Sequence, residues 1–152
     1  MRCHQWVLEE GLVGEGFELW MMAEVPATVF RIEEFLPHVD GVSIGSNDLA
    51  QLILGIDRDN SRLADRFDEH NPAVLAAIEQ VARACRARRL PVSLCGNAAS
   101  RYPDLLPKLI EFGLTSISVT PETFERTVQV VAEAEAALGL SPPAKPAAGR
   151  RD

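Results

Sequence analysis

The chain is poor in every feature that marks a membrane, nucleic-acid or disulfide-built protein. None of its apolar runs approaches the ~20 residues that a bilayer-spanning helix needs. Its first residues include Glu9, Glu10 and Glu15, where a secretory leader would be basic and then apolar. Basic charge is scarce, with 15 Lys and Arg against 22 Asp and Glu for a net −7, which argues against a polyphosphate partner such as nucleic acid. The one basic cluster, Arg83, Arg86, Arg88 and Arg89, falls late in a predicted helix, where cations complement the helix dipole. Three cysteines form no CxxC pair, so neither a zinc knuckle nor a disulfide framework is expected, and a reducing cytoplasm fits best. Cys85 follows Ile78, Val81 and Ala82 on an apolar stripe and reads as a core thiol, while Cys3 lies in a terminus expected to fray.

What the chain does contain is an alternation of strand and helix signals. Residues 17–25 read as a buried strand, and Pro26 opens a helix that presents Val29, Ile32, Phe35 and Leu36 on one face until Pro37. Asp40-Gly41 is a turn into a short second strand at 42–45, followed by a brief apolar helix closed by Gly55. The charged stretch 57–70 has no periodicity and reads as a long exposed loop, of the kind that is commonly functional. Its Asp57 and Asp59 do not make a calcium loop, because the glycine and terminal glutamate of that motif are missing. Asn71-Pro72 supplies an N-cap and first-turn proline to a helix with Val74, Leu75, Ile78, Val81, Ala82 and Cys85 on one side. A third strand at 91–95, a helix at 103–112 ended by Gly113, a fourth strand at 115–119 and a last helix to about Leu138 complete the pattern. The ordered unit is expected over residues 1–140, and the Pro/Ala-rich residues 141–152 read as a disordered tail.

Alternating strands and helices imply a parallel sheet with right-handed crossovers. Four such units are half of what a closed barrel needs, and an open sheet would leave two unpaired edges. The chain is therefore expected to be part of a larger assembly or to associate with itself. A doubly wound nucleotide fold is disfavoured, since no glycine-rich loop follows the first strand.

Three segments place chemistry where an apolar strand runs out into a loop: LWMMAEVP (19–26), VSIGSNDLAQL (42–52) and VSLCGNAAS (92–100). In parallel α/β folds those loops gather at one face, so Glu24, Asp48 and Cys95 can converge as two carboxylates for a divalent metal and a thiol for proton transfer. Taken singly, each has a plainer reading: Glu24 as an ordinary strand-end acid, Asp48 as a helix cap beside Asn47, Cys95 as a structural thiol.

The same segments carry a resemblance. MMAEVP (21–26), DGVSIGSNDLAQLILGIDRDN (40–60), RFDEHNPAV (66–74), SLCGNAAS (93–100) and SISVTPETF (116–124) resemble the C-terminal part of phosphoenolpyruvate (PEP) synthases, over residues from about Leu8 to Leu138. The wider group of PEP-utilising enzymes also includes pyruvate phosphate dikinase and enzyme I of the sugar phosphotransferase system. The resemblance implies an α/β fold in which parallel βα units form the second half of a PEP- or pyruvate-binding (βα)8 TIM barrel. It implies Glu24 and Asp48 as Mg²⁺ ligands, Asn47 as a hydrogen-bond donor to a phosphoryl group, and Gly45 and Ser46 as backbone N–H donors to substrate. It makes Cys95 the acid/base at the substrate methyl carbon; thiols as a class titrate near ~8.5, workable for an enolate carbon. Two carboxylates completed by substrate oxygens and water suit Mg²⁺.

The family reaction, pyruvate with ATP and water giving PEP, AMP and phosphate, also needs a phosphohistidine domain, an ATP-grasp domain and the first half-barrel, none of which this sequence contains. Those parts are expected as partners, from the same parent or a separate chain, and a homo-oligomer is expected. His4, His38 and His70 stand in no phosphoacceptor context. Asn97 stands where the family usually has Gln or Glu, and His70 where the synthases usually have Arg. The rival expectations are a truncated or split non-catalytic module that binds a partner chain or a pyruvate-like ligand, and a compact lyase acting on a 2-oxo acid with the same metal and thiol.

Overall fold

A computed structural model describes residues 6, 9–11, 14, 16–63, 66–96 and 98–140. The tail at 141–152, Cys3, His4 and Asn97 lie outside the described residues. Four parallel strands, β1 (Trp20–Ala23), β2 (Gly41–Gly45), β3 (Val92–Cys95) and β4 (Ser116–Ile117), lie side by side in chain order. The crossovers are helical: α1 (Pro26–Phe30) and α2 (Ile32–Phe35), α3 (Ser46–Leu54) and α4 (Pro72–Ala87), α5 (Ala98–Arg101) and α6 (Leu106–Phe112), with α7 (Phe124–Ala137) after the last strand.

The core follows from strand alternation. Val42, Ile44, Val92 and Leu94 are buried beneath the helices, while Ser43, Ser93 and Cys95 on the opposite side of the same strands are only partly covered. The long α4 supplies the matching surface with Val74, Leu75, Ile78, Val81, Ala82 and Cys85, all buried as the helical period required. Burying an Ile or Leu of this kind contributes roughly 1.5–3 kcal/mol. Desolvation, helped by Glu33 nearby, pushes the Cys85 thiol up to about 11, as expected of an inert core cysteine.

Helix ends are set by local chemistry. The Asn71 side chain accepts from the Ala73 N–H at 2.9 Å and Pro72 occupies the first turn of α4. Asn71→Ala is expected to cost about 1 kcal/mol, read as a lower urea midpoint at unchanged slope. At the other end Leu90 N–H reaches the Cys85 carbonyl and Arg89 N–H that of Arg86, a Schellman closure that puts Arg89 at φ +58. Gly113 ends α6 in the same way. The cluster Arg83, Arg86, Arg88 and Arg89 is exposed, and Arg88 pairs with Glu33 at 3.0 Å.

Several elements are shorter than the sequence pattern predicts. β1 keeps four residues of the expected nine, and β4 keeps two of the expected five, because each is an edge with one neighbour. Pro37 lies in a short 3-10 turn (Leu36–His38) after α2, and the 103–112 helix begins as a 3-10 turn before α6. Within 57–70, Phe67 and Glu69 are buried, so the stretch is not wholly exposed.

Candidate active site

Parallel register decides which residues meet. Ala23 pairs with Ile44, so the next residue, Glu24, falls beside Gly45, and Gly45 itself pairs with Cys95. Glu24, Gly45 and Cys95 thus form one row across the carboxyl ends of β1, β2 and β3. The proximity is tight: a Cβ built on Gly45 would lie 2.9 Å from both the Cβ and Oε2 of Glu24. Only glycine leaves that carboxylate room.

Gly45 is also the N-cap of α3, and as a glycine it brings no side chain to cap the helix. The positive end of the helix favours an anion there. Asn47 and Asp48 sit in that first turn, both partly exposed, and Asp48 faces Arg58 at 3.6 Å. The Asn47 side chain lies against Gly96, whose built Cβ would be 3.2 Å from Asn47 Oδ1. The Cys95 thiol is half-buried; it donates to the Ile44 carbonyl at 3.4 Å and touches Met22 Sδ at 4.0 Å.

Ser46 differs from its neighbours. Its side chain is fully buried and its hydroxyl lies 3.3 Å from the Cys95 carbonyl, so it turns into the protein. Near it stands Glu69, 1% exposed and with Oε1 unpartnered. Burial drives the Glu69 carboxyl above the usual range, against the opposing pull of Ser46, Arg101, His70 and Arg58. Sequence reasoning missed this residue because its neighbours are charged; the apolar Phe67 two positions earlier was the available signal.

His70 has partners of its own. It bridges Asp104 at 2.8 Å and Asp68 at 3.2 Å and meets the Tyr102 ring edge-on. Desolvation lowers its pKa, but the hydrogen bonds from the two aspartates outweigh it and the net shift is upward. It ties the 57–70 segment to the turn before α6.

Among the described residues no three His, Cys, Asp or Glu side chains cluster as a metal cage. Glu24, just after β1, and Asp48, in the first turn of α3, offer two carboxylates. That donor set fits Mg²⁺, which usually takes one or two protein carboxylates and fills the remainder with substrate oxygens and water.

Residues 1–136 match the family described as PEP-utilising enzyme, PEP-binding domain. The chain is 47% identical over 135 residues to phosphoenolpyruvate synthase of Aeropyrum pernix, covering 87% of this chain and 16% of that protein. It is 43% identical over 124 residues to the synthase of Synechocystis, covering 82% of this chain and 15% of that protein. It therefore spans only about a sixth of such relatives. Among solved structures, RipC from Yersinia pestis matches with a TM-score of 0.56 at 15% identity, over 85% of this chain and 58% of that one. An HpcH/HpaI aldolase from Desulfitobacterium hafniense matches with a TM-score of 0.52 at 20% identity, over 96% and 51%. At such identities the likeness concerns the fold alone: a parallel α/β sheet that is part of a βα barrel.

Proposed function

This chain belongs to the PEP-utilising enzymes through their PEP-binding domain, and we propose that it is the pyruvate- and PEP-binding portion of a phosphoenolpyruvate synthase-like enzyme. The observation that carries the reading is the row Glu24–Gly45–Cys95, with Asp48 one helical turn beyond it. Glu24 and Asp48 would hold Mg²⁺ together with the substrate carboxylate. Bound there, the ion supplies Lewis-acid stabilisation to charge developing on the substrate's ketone oxygen. Cys95 works on the methyl carbon: as thiolate it takes a proton, the C–H pair becomes the enolate double bond and the oxygen gains the charge. In reverse the thiol returns that proton. Asn47 and the positive N-terminal end of α3 address the phosphoryl group.

The ATP-binding and phosphohistidine parts belong, in this reading, to the rest of a longer protein or to a separate chain. The edges of the sheet support a missing half-barrel as the direct neighbour. β1 and β4 are both edge strands. A groove of about 650 Å³ runs beside β4, lined by Ile110, Leu114, Ile117, Phe124, Val128 and Val131, and it does not include Glu24, Asp48 or Cys95. It is an apolar seat for the next strand and helix of a closed barrel. No helix among the described residues is long and apolar enough to cross a membrane.

The test is thermal unfolding of the chain with Mg²⁺, with and without oxalate, a planar mimic of the pyruvate enolate. A ligand at a hundredfold excess over Kd adds about 2.7 kcal/mol, which raises Tm by several degrees. Mg²⁺ with oxalate is expected to produce that shift, and Glu24→Gln with Asp48→Asn to erase it. A cooperative melt that the pair leaves unmoved would sink the reading.

A further inference from the structure

His70 has a carboxylate on each ring nitrogen. Its Nε2 lies 2.8 Å from Asp104 Oδ2 and its Nδ1 3.2 Å from Asp68 Oδ1. Asp68 belongs to the same stretch of chain, whereas Asp104 comes from the 3-10 turn before α6 (Pro103–Leu105). An ionised carboxylate only accepts hydrogen bonds, and a neutral imidazole carries a single N–H. Both contacts can therefore be hydrogen bonds only when the ring holds two protons and a positive charge. A neutral ring would turn a lone pair toward one of the two carboxylates.

The backbone aims the ring into this position. The His70 N–H donates to Asp68 Oδ1 at 2.9 Å and the Asn71 N–H to the Asp68 carbonyl at 3.2 Å, and Asn71 is itself the cap of α4. Tyr102, beside the opposite turn, meets the imidazole edge-on with ring centroids 4.5 Å apart. The two stretches so joined both lead back to the strand ends. One carries Arg58, which faces Asp48, and the other follows α5 after Cys95.

We propose that His70 is a proton-operated latch. As the imidazolium it fastens the turn before α4 to the turn before α6 through Asp68 and Asp104. As the neutral imidazole it gives up one of those bonds and its attraction to both charges. The latch makes no use of metal or substrate, so it stands apart from the reading above.

The groups around the ring set its pH range. Asp68 and the buried Glu69 come from its own stretch, Asp104 and Tyr102 from the turn opposite, and Arg101 of α5 stands over the Tyr102 ring at 5.5 Å. Because the folded value of His70 is raised, its contribution to stability is whole below the unfolded histidine value of ~6.5 and is lost as pH climbs through the folded value. Asp104 is lowered, first by its bond to His70, so its share is lost only as pH falls through the lowered carboxylate value. The latch is closed between these limits.

The test follows the His70 ring by NMR in the 15N-labelled chain, its signals identified by their loss in His70→Gln, alongside urea unfolding from pH 5.5 to 9. The side chains of His70 and Asp104 are 34% and 72% exposed, so neither His70→Gln nor Asp104→Asn opens the core. The ring is expected to titrate above ~6.5, and Asp104→Asn to bring its midpoint down. Glutamine can still donate to Asp104 but never carries charge. The unfolding constant of His70→Gln relative to wild type is therefore expected to fall about two- to fivefold between pH 5.5 and 9, the range for exposed ion pairs. Any packing cost of the glutamine, and whatever Glu69 contributes by itself, is common to the comparison and cancels. A ring that titrates at or below ~6.5, or a midpoint that Asp104→Asn leaves in place, would mean that the carboxylates do not hold an imidazolium. A ratio constant across pH would mean that the proton does nothing for the fold. Any of these results overturns the proposal.

Discussion

Cys95→Ser is expected to lower the exchange of pyruvate methyl protons with D2O by about 10²–10⁴-fold, the usual range for removing a positioned acid/base. The Mg²⁺–oxalate melting shift should survive. The two readouts separate because the two proposed roles fall to different strands: the thiol ends β3, while Glu24 and Asp48 follow β1 and β2. Serine preserves the local structure, since its hydroxyl can give the Ile44 carbonyl the hydrogen bond that the thiol gives at 3.4 Å. It does not preserve the chemistry, because a hydroxyl is a much weaker acid and far less ionised near neutral pH. Glu24→Gln should have the complementary profile, with both the melting shift and the exchange lost. Exchange is read from the decay of the methyl proton signal. If Cys95→Ser exchanges at the wild-type rate, the proton is carried by another group and Cys95 is a structural thiol.

The order of strands and helices was legible because periodicity is a local property. The stripe from Val74 to Cys85 buries as its spacing requires, and Asn71-Pro72 and Gly113 mark helix ends whose hydrogen bonds the structure shows. The same reasoning placed Glu24, Asp48 and Cys95 at one face, because loops after parallel strands share a side; the row Glu24–Gly45–Cys95 needed the register, which no single segment contains. Strand length was less legible. The sequence around β4 alternates well from Thr115 to Val119, yet only Ser116 and Ile117 pair, for want of a neighbour on the outer side. Glu69 was illegible for a different reason. A carboxylate between Asp68 and His70 looks solvated, and its burial results from where the segment docks, which is a tertiary fact. The inward turn of Ser46 is of the same kind: composition places a serine at the helix start, but only packing decides that its hydroxyl meets the Cys95 carbonyl.

Gly96→Ala is the substitution expected to damage the protein most through its backbone. Gly96 has φ +108, a region that a Cβ disfavours by about 1–3 kcal/mol. The added carbon would also lie 2.7 Å from Ser46 Oγ and 3.2 Å from Asn47 Oδ1, so one of these must move. Moving Ser46 breaks its contact with the Cys95 carbonyl and strands a fully buried hydroxyl, at about 1–3 kcal/mol more. The sum, roughly 2–6 kcal/mol, is a large part of the ~5–15 kcal/mol that holds a domain together. Gly55→Ala separates the two effects. Gly55 has φ +64 but nothing within 4 Å of a built Cβ, so it should show the conformational cost alone, about 1–2 kcal/mol. Urea midpoints at equal slopes measure both variants. If Gly96→Ala is no worse than Gly55→Ala, the β2 and β3 ends are not in close contact at Ser46. If it is worse by the expected margin, the glycine is there because the serine is, and the two loops act as one unit.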